Sequence, residues 1–107
     1  MTRIAFIVAM LLTAPWQEAE MVEIKDAGLV DLASFNCQDV TRSSVISRVC
    51  YDGGSRRMLV QRYATYHAYC DVPIEIRDAL LDARSMGRFY RNSIEAAREQ
   101  GRYGCAT

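Results

Sequence analysis

Tyr66-His67-Ala68-Tyr69-Cys70-Asp71-Val72-Pro73 is where this chain changes from one kind of secondary structure to another. Tyr66 to Cys70 reads as a strand because aromatic residues favour extended backbone. Pro73 cannot continue a ladder but is tolerated in the first turn of a helix, and Glu75 falls close to the positive end of that helix. Asp71 and Pro73 therefore read as a helix start. The stretch also holds the only histidine and one of the four cysteines.

Working back from it, Arg57 to Arg62 reads as a second strand, joined to Thr65–Cys70 through Tyr63-Ala64. Two-residue hairpin loops favour Asn, Asp or Gly, so this connection is chemically poor. The register it implies sets Val60 opposite His67 and Met58 opposite Tyr69 on one face, with Leu59 opposite Ala68 on the other. Ser43 to Tyr51 is rich in β-branched residues and reads as a further strand, followed by Asp52-Gly53-Gly54-Ser55, whose glycines permit the positive φ of a hairpin loop. In this meander Cys50, Arg57 and Cys70 share one row. Cys50 and Cys70 are then about 10 Å apart, two strand spacings, which exceeds disulfide reach unless both lie beyond the second strand. Otherwise each pairs with Cys37 or Cys105. Glu20 to Asn36 is irregular and reads as an extended lead-in pinned near Phe35 and Cys37.

Working forward, Ile76, Ala79, Leu80 and Ala83 form an apolar stripe at helical spacing, while Glu75, Asp78 and Asp82 form a solvated one. Ser85 caps a further helix in which Met86, Phe89, Tyr90, Ser93 and Ala97 recur, and Gly101 ends it. The fold class is α+β: a three-stranded antiparallel sheet from about Ser43 to Cys70, packed against two C-terminal helices. The expected core is Ile46, Val49, Met58, Val60, Tyr69, Ile76, Leu80, Phe89 and Ile94.

A chain of 107 residues has room for one small domain and little for a large cleft. Its 13 basic and 13 acidic residues cancel, so no global field draws it to nucleic acid or lipid, and only a local patch would do so. All basic residues but Lys25 are arginine, a bias read as codon usage. Arg3 followed by the apolar run from Ile4 to Leu12 has the layout of a secretory signal peptide, with processing after Ala19. The expected organisation is a signal peptide at 1–19, a lead-in at 20–41 and a domain at 42–107. That layout gives a secreted or periplasmic protein with no membrane span after processing. Cys37, Cys50, Cys70 and Cys105 all follow the leader and read as a disulfide framework of open pairing. No two are close enough for a zinc motif, and no metal or other cofactor is expected.

Each chemistry-bearing residue also has a structural reading. His67 titrates near neutral pH, but it lacks a second histidine or a paired carboxylate, so packing on the strand is the favoured reading. Cys70 and His67 point to opposite faces of one strand. Ser43 and Ser44 have no evident base and read as backbone-satisfying residues. Tyr51, Tyr66, Tyr69, Phe89 and Tyr90 would suit a stacking platform for single-stranded nucleic acid, beside Arg84, Arg88, Arg91, Arg98 and Arg102; core packing is the favoured reading for the aromatics. The candidate binding residues are His67, Tyr69, Arg84, Arg88 and Arg91, and no catalytic residue is assigned.

The order and spacing of several short pieces resemble the KTSC domain, a module named for the C-terminal region of some lysyl-tRNA synthetases and found also as a stand-alone bacterial protein. The resemblance runs from about Arg42 to Ile94. Its pieces are Ser43-Ser44-x-Ile46, Tyr51-Asp52, Met58-x-Val60, Tyr69-x-x-Val72-Pro73, and Leu80-Leu81-x-Ala83-x-Ser85-x-Gly87-x-Phe89-Tyr90-x-Asn92 leading to Ile94. The chain departs from the pattern where the first residue of Tyr-x-Tyr is His67, where the preceding turn has Ala64 or Thr65 in place of glycine, and where Arg62 replaces an apolar residue. The resemblance implies a family of unknown function for which RNA binding has been suggested. The expected function is thus an exported, non-enzymatic binding or interaction module for an unknown protein or ligand, with single-stranded nucleic acid as the alternative.

Overall fold

The computed structural model describes residues 20–105, so the expected leader at 1–19 lies outside the described residues. The strands are β1 (Met21–Ile24), β2 (Gly28–Asp31), β3 (Asn36–Asp39), β4 (Ile46–Asp52), β5 (Arg57–Arg62) and β6 (Thr65–Tyr69). A single 3-10 turn, Leu32–Ser34, separates β2 from β3. The helices are α1 (Ile74–Asp82), α2 (Met86–Phe89) and α3 (Ala96–Glu99), the last two joined without a break by a π-helical segment, Tyr90–Glu95.

The strands form one six-stranded sheet in the order β2-β1-β6-β5-β4-β3. The expected three-stranded sheet is therefore only its β4-β5-β6 portion. Residues of the lead-in are extended as expected, yet they are paired, with β1 against β2 and parallel to β6 through Ile24 and Tyr66, and β3 against β4. These strands escaped the sequence reading for a physical reason. Each is four residues long, too short for alternation to register, and β3 (Asn-Cys-Gln-Asp) contains no β-branched residue.

A flat sheet is ruled out by the chain itself. Five inter-strand spacings of about 4.8 Å would put β2 and β3 roughly 24 Å apart, whereas the connection from Asp31 to Asn36 spans at most about 18 Å even fully extended. The sheet must curl. Its inner face buries Val22, Ile24, Leu32, Cys50, Leu59, Tyr66 and Ala68 together, with Cys37 and Cys105 packed against them. Its outer face buries Ile46, Val49, Tyr51, Met58, Val60 and Tyr69 under Leu80, Met86, Tyr90 and Ile94 of the helices. All nine expected core residues belong to this outer cluster, with Ile76 and Phe89 at its half-buried margin. A bulge between Ile46 and Arg48 lets both Ile46 and Val49 face the helices.

The β5–β6 register is the expected one, Met58 opposite Tyr69, Leu59 opposite Ala68 and Val60 opposite His67. The β4–β5 register differs by two residues. Asp52 pairs with Arg57 and Cys50 with Leu59, so Cys50, Arg57 and Cys70 do not share a row. The strands run further than the sequence implies because Asp52 closes the turn itself: its Oδ1 accepts from the Gly54 amide at 2.9 Å and its carbonyl from the Arg56 amide at 2.7 Å. The left-handed position falls on Arg56 (φ 62°), not on either glycine. A two-residue shift preserves the face of every side chain, so the core is unaffected.

Helix starts follow the sequence in part. Pro73 occupies the cap position of α1 with no side-chain cap bond, while Asp71 sits before it at φ 55°. Ser85 caps α2, its Oγ accepting from the Arg88 amide at 3.2 Å. Gly101 follows the last helix at φ 95°.

Two disulfides join segments outside β4–β6 to that framework: Cys37 of β3 bonds Cys50 of β4, and Cys70, just after β6, bonds Cys105 of the tail. The Cys70 amide also donates to the Tyr103 carbonyl at 2.9 Å, seating the tail. Closing the 35-residue Cys70–Cys105 loop removes denatured-state entropy worth about 4 kcal/mol, and the 13-residue loop about 3 kcal/mol. Replacing Cys70 and Cys105 together by serine is expected to lower unfolding free energy by about 2–4 kcal/mol in urea titrations. The Tyr63-Ala64 turn gives the opposite prediction. Both residues hold positive φ (49° and 68°), the geometry that Asn-Gly adopts without penalty, and Tyr63 is 69 % exposed. Tyr63→Asn with Ala64→Gly should therefore raise stability by about 1 kcal/mol in the same assay.

Candidate arginine-lined site

Arg84 lies in the short link between α1 and α2, and Arg88 and Arg91 follow on the next helical turns. The fold brings all three to one surface hollow of about 250 Å³, shared with Arg42, Ser43 and Ser44 from the approach to β4. Gly87 lies against this loop. A Cβ there would meet Val45 Cγ2 at 3.4 Å and an Arg91 terminal nitrogen at 3.7 Å. Arg42 is fixed by donating to the Leu81 carbonyl at 2.6 Å. Ser43 Oγ is committed to the backbone, accepting from the Val45 and Ile46 amides at 3.1 and 3.0 Å, as the sequence reading favoured.

Arg42, Arg84, Arg88 and Arg91 form no ion pair among the described residues, whereas Arg48, Arg62 and Arg77 each hold a carboxylate. Unpaired guanidinium groups around a concavity repel one another and present planar donor forks, the arrangement that binds carboxylate or phosphate oxygens. Arg42 was missed as a site residue because it lies some forty positions from the others in the chain. Its place immediately before Ser43-Ser44 was the available signal.

The other two candidate binding residues stand apart from this hollow. Tyr69 is 1 % exposed, and its ring meets Tyr90 edge to face with centroids 6.0 Å apart, their hydroxyls hydrogen-bonded to each other. Burial raises the pKa of both phenols, so both stay protonated in the neutral range. Arg98 lies over the Tyr69 ring at 5.1 Å and Arg62 over Tyr90 at 5.7 Å, and Arg62 also pairs with Glu95 at 2.6 Å. Tyr51, Tyr66 and Tyr90 are buried too and Phe89 is half-buried, so these aromatics pack the core and do not present a stacking platform.

A family model of the KTSC domain matches residues 42–98. The chain belongs to the KTSC domain family. A crystal structure of a KTSC domain protein from Yersinia pestis is similar, at 31 % sequence identity and a TM-score of 0.53, covering 57 % of this chain and 86 % of that one. No curated protein matched. The KTSC match takes in β4 to β6, the helices and all four arginines of the hollow, while β1 to β3, Cys37 and Cys105 lie outside it.

The departures from the KTSC pattern now have physical consequences. Arg62, in place of an apolar residue, supplies the partner of Glu95. Ala64, one of the two positions at which the pattern has glycine, takes a left-handed φ of 68°. His67, in place of tyrosine, is half-buried on the helix-facing side of β6. Its pKa lies below the ordinary 6.5, chiefly through burial and then through Arg62, Lys25 and Arg98, with Glu95 opposing. A depressed folded-state pKa means that the unfolded chain binds the proton first, so His67 contributes stability above pH 6.5 that is lost as pH falls through the folded value. Glu20 and Asp52 act in the same direction at lower pH, held down chiefly by their hydrogen bonds to Arg48 and Ser34. Denaturant unfolding of wild type from pH 7.5 down to pH 5 is expected to show falling stability, and His67→Gln should flatten that slope while leaving the acid-side fall below about pH 4.5 intact.

Proposed function

We propose that this protein is an exported, non-enzymatic KTSC module that binds a partner carrying phosphate or carboxylate groups at the hollow formed by Arg42, Arg84, Arg88 and Arg91. The observation that carries the reading is the convergence of four unpaired guanidiniums on one concave surface of an otherwise charge-balanced chain. Export is supported by the two disulfides, which persist in oxidising compartments, and by the signal-like N-terminal sequence. The non-enzymatic reading is supported by the same chemistry: Ser43 Oγ is engaged by two backbone amides and each of the four cysteines is bonded. Single-stranded nucleic acid is the second reading, favoured by the same arginines through phosphate, without the aromatic stacking that would read bases.

Fluorescence titration with tripolyphosphate and with a labelled single-stranded RNA of the same net charge tests both. The leading reading expects both to bind at low salt, with affinity falling steeply as salt rises and by about tenfold or more in Arg88→Gln/Arg91→Gln. RNA bound more than tenfold tighter than tripolyphosphate would favour the second reading. No binding of either at low salt would remove both.

A further inference from the structure

The segments outside the KTSC match build a cavity of their own. Lys25, Asp26 and Ala27, in the β1–β2 turn, and Cys105, in the tail, meet Arg57, Ala68 and Arg98 of the matched region around a volume of about 490 Å³. It lies at the mouth of the curl, where β5 begins and β1 and β6 end. Each wall is held in place. The Lys25 amide donates to the Tyr66 carbonyl at 2.9 Å, fixing the turn on β6, and the Cys70–Cys105 disulfide fixes the tail on the other side.

The lining has a definite chemistry. Arg57 shares the face of Leu59 and so points to the inner side of the sheet, and its Nε is buried with no hydrogen-bond partner among the described residues. Lys25, Arg57 and Arg98 form no ion pair there, and Asp26 is the one acidic residue in the wall. Ala27, Ala68 and Cys105 supply apolar surface between the cations. Several cations without a matching set of carboxylates, an orphaned guanidinium donor and an apolar floor together describe a pocket for an anion with an apolar body. The volume falls in the range of small-molecule sites. His67 reports on the same field, since Lys25 and Arg98 are among the charges that disfavour its protonation.

We propose that this cavity is a second binding site, separate from the arginine hollow, that takes a small organic oxyanion: its carboxylate or phosphate between Arg57, Lys25 and Arg98, and its apolar part against Ala68 and the Cys70–Cys105 disulfide. The site is formed where β1, its turn and the tail, which lie outside the KTSC match, meet the matched region. The arginine hollow uses none of these residues, so each site stands or falls alone.

The test is an NMR titration of the full oxidised chain, following the Lys25 and Ala68 amides and the His67 imidazole, with four probes: acetate, inorganic phosphate, benzoate and phenyl phosphate. The expected result is saturable shifts at these residues, with benzoate or phenyl phosphate binding about tenfold tighter than its small counterpart. Whichever of the two leads identifies the headgroup. Arg57→Gln should weaken the better probe by about tenfold. Lys25→Gln, at an exposed turn, should weaken it severalfold and serves as the check if Arg57→Gln unfolds. Arg88→Gln/Arg91→Gln should leave it unchanged. Absence of saturable shifts with all four probes overturns the proposal, as does binding that survives Lys25→Gln undiminished or shifts confined to the Arg84–Arg91 region.

Discussion

The structure depends on the connection between the two edge strands. Residues 32–35 are too few to cross a flat six-stranded sheet, so β2 and β3 must approach one another and the sheet must curl around its own inner face. That single constraint makes a core out of residues that would otherwise lie on an exposed surface. Val22 and Ile24 of β1 share a cluster with Cys50 of β4 and Leu59 of β5. It also gives the central strands two buried faces in a domain of modest size, one under the helices and one within the curl. The edge strands themselves are only four residues long, which limits their value as templates for aggregation.

The disulfides act on the same problem. β3 has little of its own to hold it to β4, being four polar or small residues, and Cys37 bonded to its register partner Cys50 anchors it. Cys105 does the same for the tail, through Cys70 at the end of β6. In both cases one cysteine lies inside the KTSC match and its partner outside it. The bridges therefore fasten segments outside the KTSC match to the matched framework, and the cavity at the mouth of the curl is formed where the two meet.

Charge is distributed in two ways on this neutral chain. Arg48 and Arg62 hold carboxylates beside tyrosines, at Glu20 with Tyr66 and at Glu95 with Tyr90, and there they tie distant segments together. Arg84, Arg88 and Arg91 gather at the hollow with no ion-pair partner among the described residues. A codon-usage reading accounts for how many arginines there are but not for where they meet. Four arginines spread over some fifty positions reach one concavity because Ser85 starts α2 beside the loop entering β4.

What the sequence by itself determined is local: the β5–β6 register, the Ser85 cap, the amphipathic stripe of α1, the core under the helices, and the family, because each rests on residues a few positions apart or on a motif in order. His67 as a strand residue and Ser43 as a backbone acceptor belong to the same class. What only the tertiary structure decided is non-local. The sheet has six strands because four-residue segments, too short for alternation to register, gain their stability from pairing and, for β3, from a disulfide. The turn before β5 slipped the register by two residues because the Asp52 side chain and carbonyl closed it, a bond that composition does not reveal. The Cys37–Cys50 bond follows from β3 lying beside β4, the arrival of Arg42 among Arg84, Arg88 and Arg91 from the α1–α2 link packing on the loop that enters β4, and the cation-lined cavity from the meeting of the β1–β2 turn, β6 and the tail, all contacts between residues far apart in the chain.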